Sequence, residues 1–138
     1  LGLETMDLRY EKATNTCFEL VTKLSGLAQI SSVNYNGLTT NRFHQLAVSQ
    51  FGAKPGAMFT FNLGSREACF AFLNKLKLIK RATNLFDNKT LAIHPASTIY
   101  GNYTAEMRKA MSVSDCTIRI SVGLESPVDL FEDIVQAL

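Results

Sequence analysis

The first 26 residues carry apolar side chains at Leu3, Met6, Tyr10, Ala13, Cys17, Leu20, Val21 and Leu24. Steps of three and four place them on one stripe of a helix. Glu4, Asp7, Glu11, Asn15, Glu19 and Lys23 fill the other side, and Gly26 is a C-terminal stop. The spacing predicts one long helix over residues 1–26, of the kind that connects a small domain to a preceding one. A short strand over residues 31–36 ends at the turn dipeptide Asn36-Gly37. Residues 42–51 read as a helix with Phe43, Leu46, Ala47 and Phe51 inward, broken by Lys54-Pro55-Gly56. Alternation follows: Phe59, Phe61 and Leu63 face one way and Met58, Thr60 and Asn62 the other, a half-buried strand over residues 57–63.

Ser65 is placed to cap a helix whose inner face is Cys69, Phe72, Leu73 and Leu76, and residues 78–83 form a candidate strand. Residues 84–102 show no clean period, and irregular stretches of that length in a compact domain are more often functional than accidental. Thr104 opens a short helix. Residues 117–122 alternate again, Ile118, Ile120 and Val122 against Thr117, Arg119 and Ser121. Ser126-Pro127-Val128-Asp129 is a capped helix start, followed by a stripe of Val128, Phe131, Ile134, Val135 and Leu138. A long first helix and then strands alternating with helices suggest an α+β domain, a sheet with helices mainly on one face.

Composition narrows the class. The chain has 138 residues, 46% of them hydrophobic, enough for one real core and too apolar for general disorder. Lys and Arg number 14 against 12 Asp and Glu, a net charge of +2 with no basic run, so neither nucleic acid nor an anionic membrane is indicated as a partner. No stretch is long enough to cross a bilayer, and the first residues lack the character of a signal peptide. The missing initiator Met hints at a piece of something longer. Cys17, Cys69 and Cys116 are too far apart for a zinc pattern or disulfide framework. They read as reduced, small apolar residues of a cytoplasmic protein.

Arg119 is the most informative residue for chemistry. It stands mid-strand, where a guanidinium either offers a planar fork of donors to a carboxylate or simply faces solvent. His94 precedes Pro95 and lacks a nearby second histidine, which favours a structural, hydrogen-bonded role. Asn84, Asp87 and Asn88 look by themselves like loop and capping residues. Lys75, Lys77, Lys80 and Arg81 read as a solvated edge. No phosphate loop, dinucleotide fingerprint or nucleophile elbow is present.

The string Ala82-Thr83-Asn84-Leu85-Phe86-Asp87-Asn88-Lys89-Thr90-Leu91-Ala92-Ile93-His94-Pro95-Ala96-Ser97-Thr98 resembles the C-terminal domain of the pyridoxal-phosphate-dependent enzymes of cysteine and methionine metabolism. These include cystathionine synthases and lyases, methionine γ-lyase and O-acetylhomoserine sulfhydrylase. Three further pieces fit in order: residues 2–9, which resemble the helix entering this domain; Gly56-Ala57-Met58-Phe59-Thr60-Phe61, the central strand; and Ile118-Arg119-Ile120-Ser121-Val122-Gly123-Leu124-Glu125, the carboxylate-binding strand.

The resemblance implies the small domain of fold-type I enzymes, an α/β two-layer sandwich with a mainly antiparallel sheet of about four strands. It implies that Arg119 grips the substrate α-carboxylate, that Asn84 lines the site as in the sulfhydrylase branch, and that Thr83 approaches the substrate through its backbone. Ile93 and Ile99 would neighbour the substrate without hydrogen-bonding it. Phe86 stands where Gly is common and Tyr100 where His is common. The Schiff-base lysine of the family lies in a Ser/Thr-rich motif, and none of Lys12, Lys23, Lys54, Lys75, Lys77, Lys80, Lys89 and Lys109 has that context.

Residues 1–138 are therefore expected to be one C-terminal domain of a longer enzyme, inactive alone. No catalytic, cofactor-binding or metal-binding residue is expected in it. Pyridoxal 5'-phosphate (PLP) would bind only the full-length protein, a homotetramer in which an N-terminal PLP-binding domain of the same chain is the partner. The expected reaction is γ-replacement on an O-acylated homoserine. Methionine γ-lyase or a cystathionine lyase or synthase is the alternative. A free-standing regulatory module that binds an amino acid through Arg119 is the alternative of another class.

Overall fold

The computed structural model describes residues 2–138; Leu1, part of the first expected helix, lies outside the described residues. Helix α1 spans Met6–Leu24, followed by β1 (Ser32–Asn34), α2 (His44–Phe51), β2 (Met58–Asn62), α3 (Arg66–Lys75), β3 (Lys80–Arg81) and β4 (Leu91–Ile93). A 3-10 turn over Pro95–Ser97, α4 (Ala105–Ala110), β5 (Thr117–Ser121) and α5 (Pro127–Ala137) complete the order. The strands form one sheet in the order β1-β2-β5-β4-β3, antiparallel except for the parallel pair β3–β4. The architecture is the expected α+β sandwich, with five strands rather than about four. The additional strand is β4, within the stretch that showed no period. Leu91, Ala92 and Ile93 are all buried, so both faces are apolar and alternation vanishes.

Helices α1, α3 and α5 share one face of the sheet. Phe59 and Phe61 from β2 and Ile118 and Ile120 from β5 point into that layer and are completely or almost completely buried with Leu20, Leu24, Phe72, Leu130 and Ile134. Phe61 and Phe72 meet edge to face, with ring centroids 5.4 Å apart. Side-chain caps close the helix starts: Ser65 accepts from the Ala68 N–H, Thr104 from Met107 and Ser126 from Asp129. His94 has the structural role expected of it. Its Nε2 donates to the Asp115 carbonyl at 2.8 Å, so in the neutral ring Nδ1 accepts from the Ser97 hydroxyl, also at 2.8 Å.

Three apolar stripes differ from expectation. In α1 burial starts at Ala13, while Leu3 and Met6 are exposed and Tyr10 is half-buried. In α2 only Ala47 is buried; Leu46 and Phe51, with Phe43 at the N-cap, are exposed. In α5 the buried residues are Leu130, Asp133, Ile134 and Ala137, with Val128 and Val135 exposed. Asp133 is the reason for that rotation. Its carboxylate accepts the backbone N–H groups of Lys77, Leu78 and Ile79 at 2.9–3.0 Å and so must face inward. Of the five residues of the expected stripe, Ile134 is buried and Phe131 and Leu138 pack against the core, while Val128 and Val135 lie outside the face this anchor requires.

Replacing Asp133 with Ala strands those donors, one of them fully buried. An expected loss of about 2–4 kcal/mol would lower the midpoint of thermal unfolding by roughly 6–15 °C. Burial pushes the Cys17 thiol up to about 12 and the Cys69 thiol up to about 11. At pH 8 only about one Cys17 in ten thousand would be the reactive thiolate. Thiol titration of the native protein should therefore label half-buried Cys116 first and reach Cys17 only on unfolding.

Candidate functional site

The second face of the sheet is polar along most of β1, β2 and β5, with Met58 of β2 and Leu91 and Ile93 of β4 as its apolar members. Ser32 and Asn34 of β1, Thr60 and Asn62 of β2, and Thr117, Arg119 and Ser121 of β5 share it, because each alternates with a core residue. Part of this surface is already satisfied internally. Thr117 donates to the Asn62 side-chain carbonyl at 2.6 Å, and the Asn62 amide donates to Ser32 at 3.0 Å.

Arg119 is different. It lies in the central strand, opposite Thr60 on one side and Ile93 on the other. Its Nη2 donates to the Thr83 carbonyl at 3.0 Å and, more weakly, to the Asn84 carbonyl at 3.5 Å. Its Nε is buried with no hydrogen-bond partner, and no ion pair among the described residues involves it. Burial holds the guanidinium below its usual pKa, since a cation half out of water loses hydration; neighbouring Tyr100 acts in the opposite direction. Arginine remains charged all the same. The result is a fixed cation with donors to spare and no counter-charge, an arrangement suited to binding an anion with a planar fork of acceptors.

The loop between β3 and β4 is held by β5 and the turn that follows it. Beyond the Arg119 contacts, the Phe86 N–H donates to Ser121 Oγ at 3.0 Å, and the Leu124 N–H donates to the Asn88 carbonyl at 2.9 Å. The Glu125 carboxylate accepts from both the backbone and the hydroxyl of Thr90, at 2.8 and 2.7 Å, while the Thr90 hydroxyl accepts from the Gly123 N–H. Residues 119, 121, 123, 124 and 125 thus form a rack on which residues 83–90 hang. The Asn84 amide donates to the Asp87 carboxylate at 3.4 Å.

Of the five site residues expected from sequence, the structure brings Arg119, Thr83, Asn84 and Ile93 together. Ile93 is the buried cross-strand neighbour of Arg119, an apolar wall beside the charge. Ile99 is exposed in the turn after the 3-10 segment. Sequence reasoning missed Ser121 and Tyr100 as parts of this neighbourhood. For Ser121 the two-residue spacing from Arg119 was the available signal. All eight lysines are exposed. Among the described residues no three His, Cys, Asp or Glu gather as a metal site, and no helix is long and apolar enough to cross a membrane.

Comparison with known proteins adds independent information. Residues 1–138 match the family described as Cys/Met metabolism PLP-dependent enzyme. The chain is 41% identical to O-acetyl-L-homoserine sulfhydrylase 1 of Thermus thermophilus over its whole length, covering 33% of that protein. It is 38% identical to L-methionine gamma-lyase of Fusobacterium nucleatum, with 99% of this chain and 35% of the relative covered. It superposes on the structure of O-acetylhomoserine sulfhydrylase from Wolinella succinogenes with a TM-score of 0.87 and 40% identity, covering 100% of this chain and 36% of that one. The chain therefore spans about a third of the length of these relatives.

Gly123 is the tightest point of the rack. A Cβ there would lie 2.5 Å from the Asn88 carbonyl oxygen and 2.5 Å from the Lys89 carbonyl carbon, both backbone atoms. Gly123→Ala should force strand and loop apart and cost about 1–3 kcal/mol. A lowered urea midpoint with an unchanged slope would report it.

Proposed function

The chain belongs to the Cys/Met metabolism PLP-dependent enzymes, and we propose that it is the C-terminal, substrate-binding part of a longer member that replaces the γ-substituent of an O-acylated homoserine with sulfide or a thiol. The observation that carries this reading is Arg119: a half-buried guanidinium without a counter-charge, aimed by two loop carbonyls and walled by Ile93. Arg119 would receive the α-carboxylate of the amino acid. A charge-assisted hydrogen bond to it contributes about 1.5–3 kcal/mol, and a two-pronged contact also fixes the orientation of the bound molecule.

Thr83 and Asn84 would border the substrate. The Asn84 amide, kept in place by Asp87, would meet its polar portion, and Ile93 with Ile99 would keep water from its apolar side. PLP, held by polypeptide outside these residues, supplies the electron sink, and this chain alone is read as inactive. The complete protein is read as a cytoplasmic homotetramer whose N-terminal domain carries the cofactor. The sulfhydrylase reading draws support from Asn84 and from the 41% and 40% identities to two sulfhydrylases. An eliminating lyase is the second reading, favoured by the 38% identity to a methionine gamma-lyase.

A substrate screen on the full-length protein separates the two. With O-acylated homoserines and sulfide, γ-replacement yields a thiol or thioether amino acid and no ketoacid. A lyase releases ketoacid from methionine or cystathionine without added sulfide. Arg119→Ala should raise KM for the amino acid about 10- to 100-fold, with Arg119→Lys intermediate because it keeps the charge and loses the fork. An unchanged KM in Arg119→Ala would remove the carboxylate-binding role.

A further inference from the structure

Ser121 follows Arg119 by two residues and so lies on the same face of the sheet, but it is buried where Arg119 is half-buried. Its Oγ accepts the Phe86 N–H at 3.0 Å. Phe86 has φ of +51°, the left-handed region that an aromatic residue rarely occupies. Its ring is 53% exposed and stacks loosely on Tyr10, with centroids 6.3 Å apart. So loose a stack supplies little direction. The hydrogen bond to Ser121 is the directional contact at this residue. Three and two residues upstream are Thr83 and Asn84, whose carbonyls meet the guanidinium. A change of φ at Phe86 rotates the chain upstream of it relative to the residues that follow, and Thr83 and Asn84 lie in that upstream segment.

We propose that Ser121 is a positioning residue for the carboxylate fork: its hydroxyl holds Phe86 in the left-handed kink and thereby keeps the Thr83 and Asn84 carbonyls on Arg119. Ser121 acts through the loop backbone and does not itself touch the ligand. The inference rests on the reading of Arg119 as the carboxylate anchor. It also gives Phe86, which stands where glycine would be strain-free, a dependence on its hook that a glycine would not have.

The test uses the full-length holoenzyme and an O-acylated homoserine with sulfide, or methionine if the protein proves to be a lyase. Steady-state constants are measured for Arg119→Ala, Ser121→Ala, Ser121→Cys, Phe86→Gly and the double variant Ser121→Ala/Phe86→Gly. Ser121→Ala should raise KM about 5- to 20-fold with kcat changed by less than about threefold. Ser121→Cys, close in shape and a weaker acceptor, should fall between it and the parent, and carries the test if the alanine variant does not fold. Because glycine adopts positive φ without steric cost, the double variant should have a KM well below the product of the two single effects. Single effects that multiply, or a Ser121→Ala variant and a Ser121→Cys variant with parental KM while Arg119→Ala raises it, would overturn the inference and leave the reading of Arg119 standing. A parental KM in Arg119→Ala would overturn both.

Discussion

A positive charge with no negative partner, fixed on the polar face of a sheet, organises this structure. Arg119 cannot escape by bending, because it belongs to the central strand and is paired on both sides with β2 and β4. Its contacts with the protein are to neutral carbonyl oxygens, which orient a guanidinium and leave its charge intact. Two carbonyl contacts at 3.0 and 3.5 Å leave a planar group with five donors largely unsatisfied. Desolvation then makes any arriving carboxylate more valuable than it would be at the surface, where the same pair would be screened by water.

The rest of the fold makes that exposed charge tolerable. Phe59 and Phe61 of β2 and Ile118 and Ile120 of β5 turn to the opposite face, where α1, α3 and α5 cover them, and Met58 alone of the large apolar residues in these two strands shares the face of Arg119. Along β2 and β5 the sheet therefore gains most of its packing energy on one side, while β4 is buried on both and supplies the apolar wall beside Arg119. Two carboxylates serve this arrangement without facing Arg119. Asp133 collects the backbone donors of residues 77–79 and ties α5 to the approach to β3. Glu125 does the same for Thr90, where the loop re-enters the sheet. Each neutralises unpaired peptide dipoles with a short side chain. The loop between these anchors consequently has fixed ends, and its middle is positioned by contacts with β5.

The alternating strands and the capped helices were legible in sequence because each rests on a local rule. Phe59 and Phe61 alternate with Thr60 and Asn62 in one five-residue strand, and Ser65, Thr104 and Ser126 each cap the helix that follows. What was not legible depended on partners distant along the chain. Leu91–Ile93 shows no alternation because both of its faces are covered. The inward side of α5 is selected by Asp133, whose reason for facing inward lies more than fifty residues earlier. Arg119 could be singled out as a lone charge between isoleucines, but its orientation towards Thr83 was not a local property. Ser121 read as an ordinary outward strand residue, because the backbone donor it serves lies 35 residues away.

Phe86 shows how these two kinds of information meet. Local sequence rules favour a glycine or asparagine at a left-handed turn, and an aromatic there is a conflict. The hydrogen bond to Ser121 answers that conflict at the backbone, and α1 adds a second, looser contact at the ring. Tyr10, at the half-buried end of that helix, provides a ring for Phe86 and donates its hydroxyl to the Lys54 carbonyl at 2.7 Å. Around the same residues, Met6, Ala13, Val122 and Leu124 line a groove of about 390 Å³. The first helix is thereby in physical contact with the loop that aims Arg119. Phe86, Asp87 and Asn88 of the loop line that groove opposite Met6, Arg9, Tyr10 and Ala13 of α1. Position and charge in the site are therefore coupled through packing, with the strand fixing where the guanidinium stands and the loop fixing where it points.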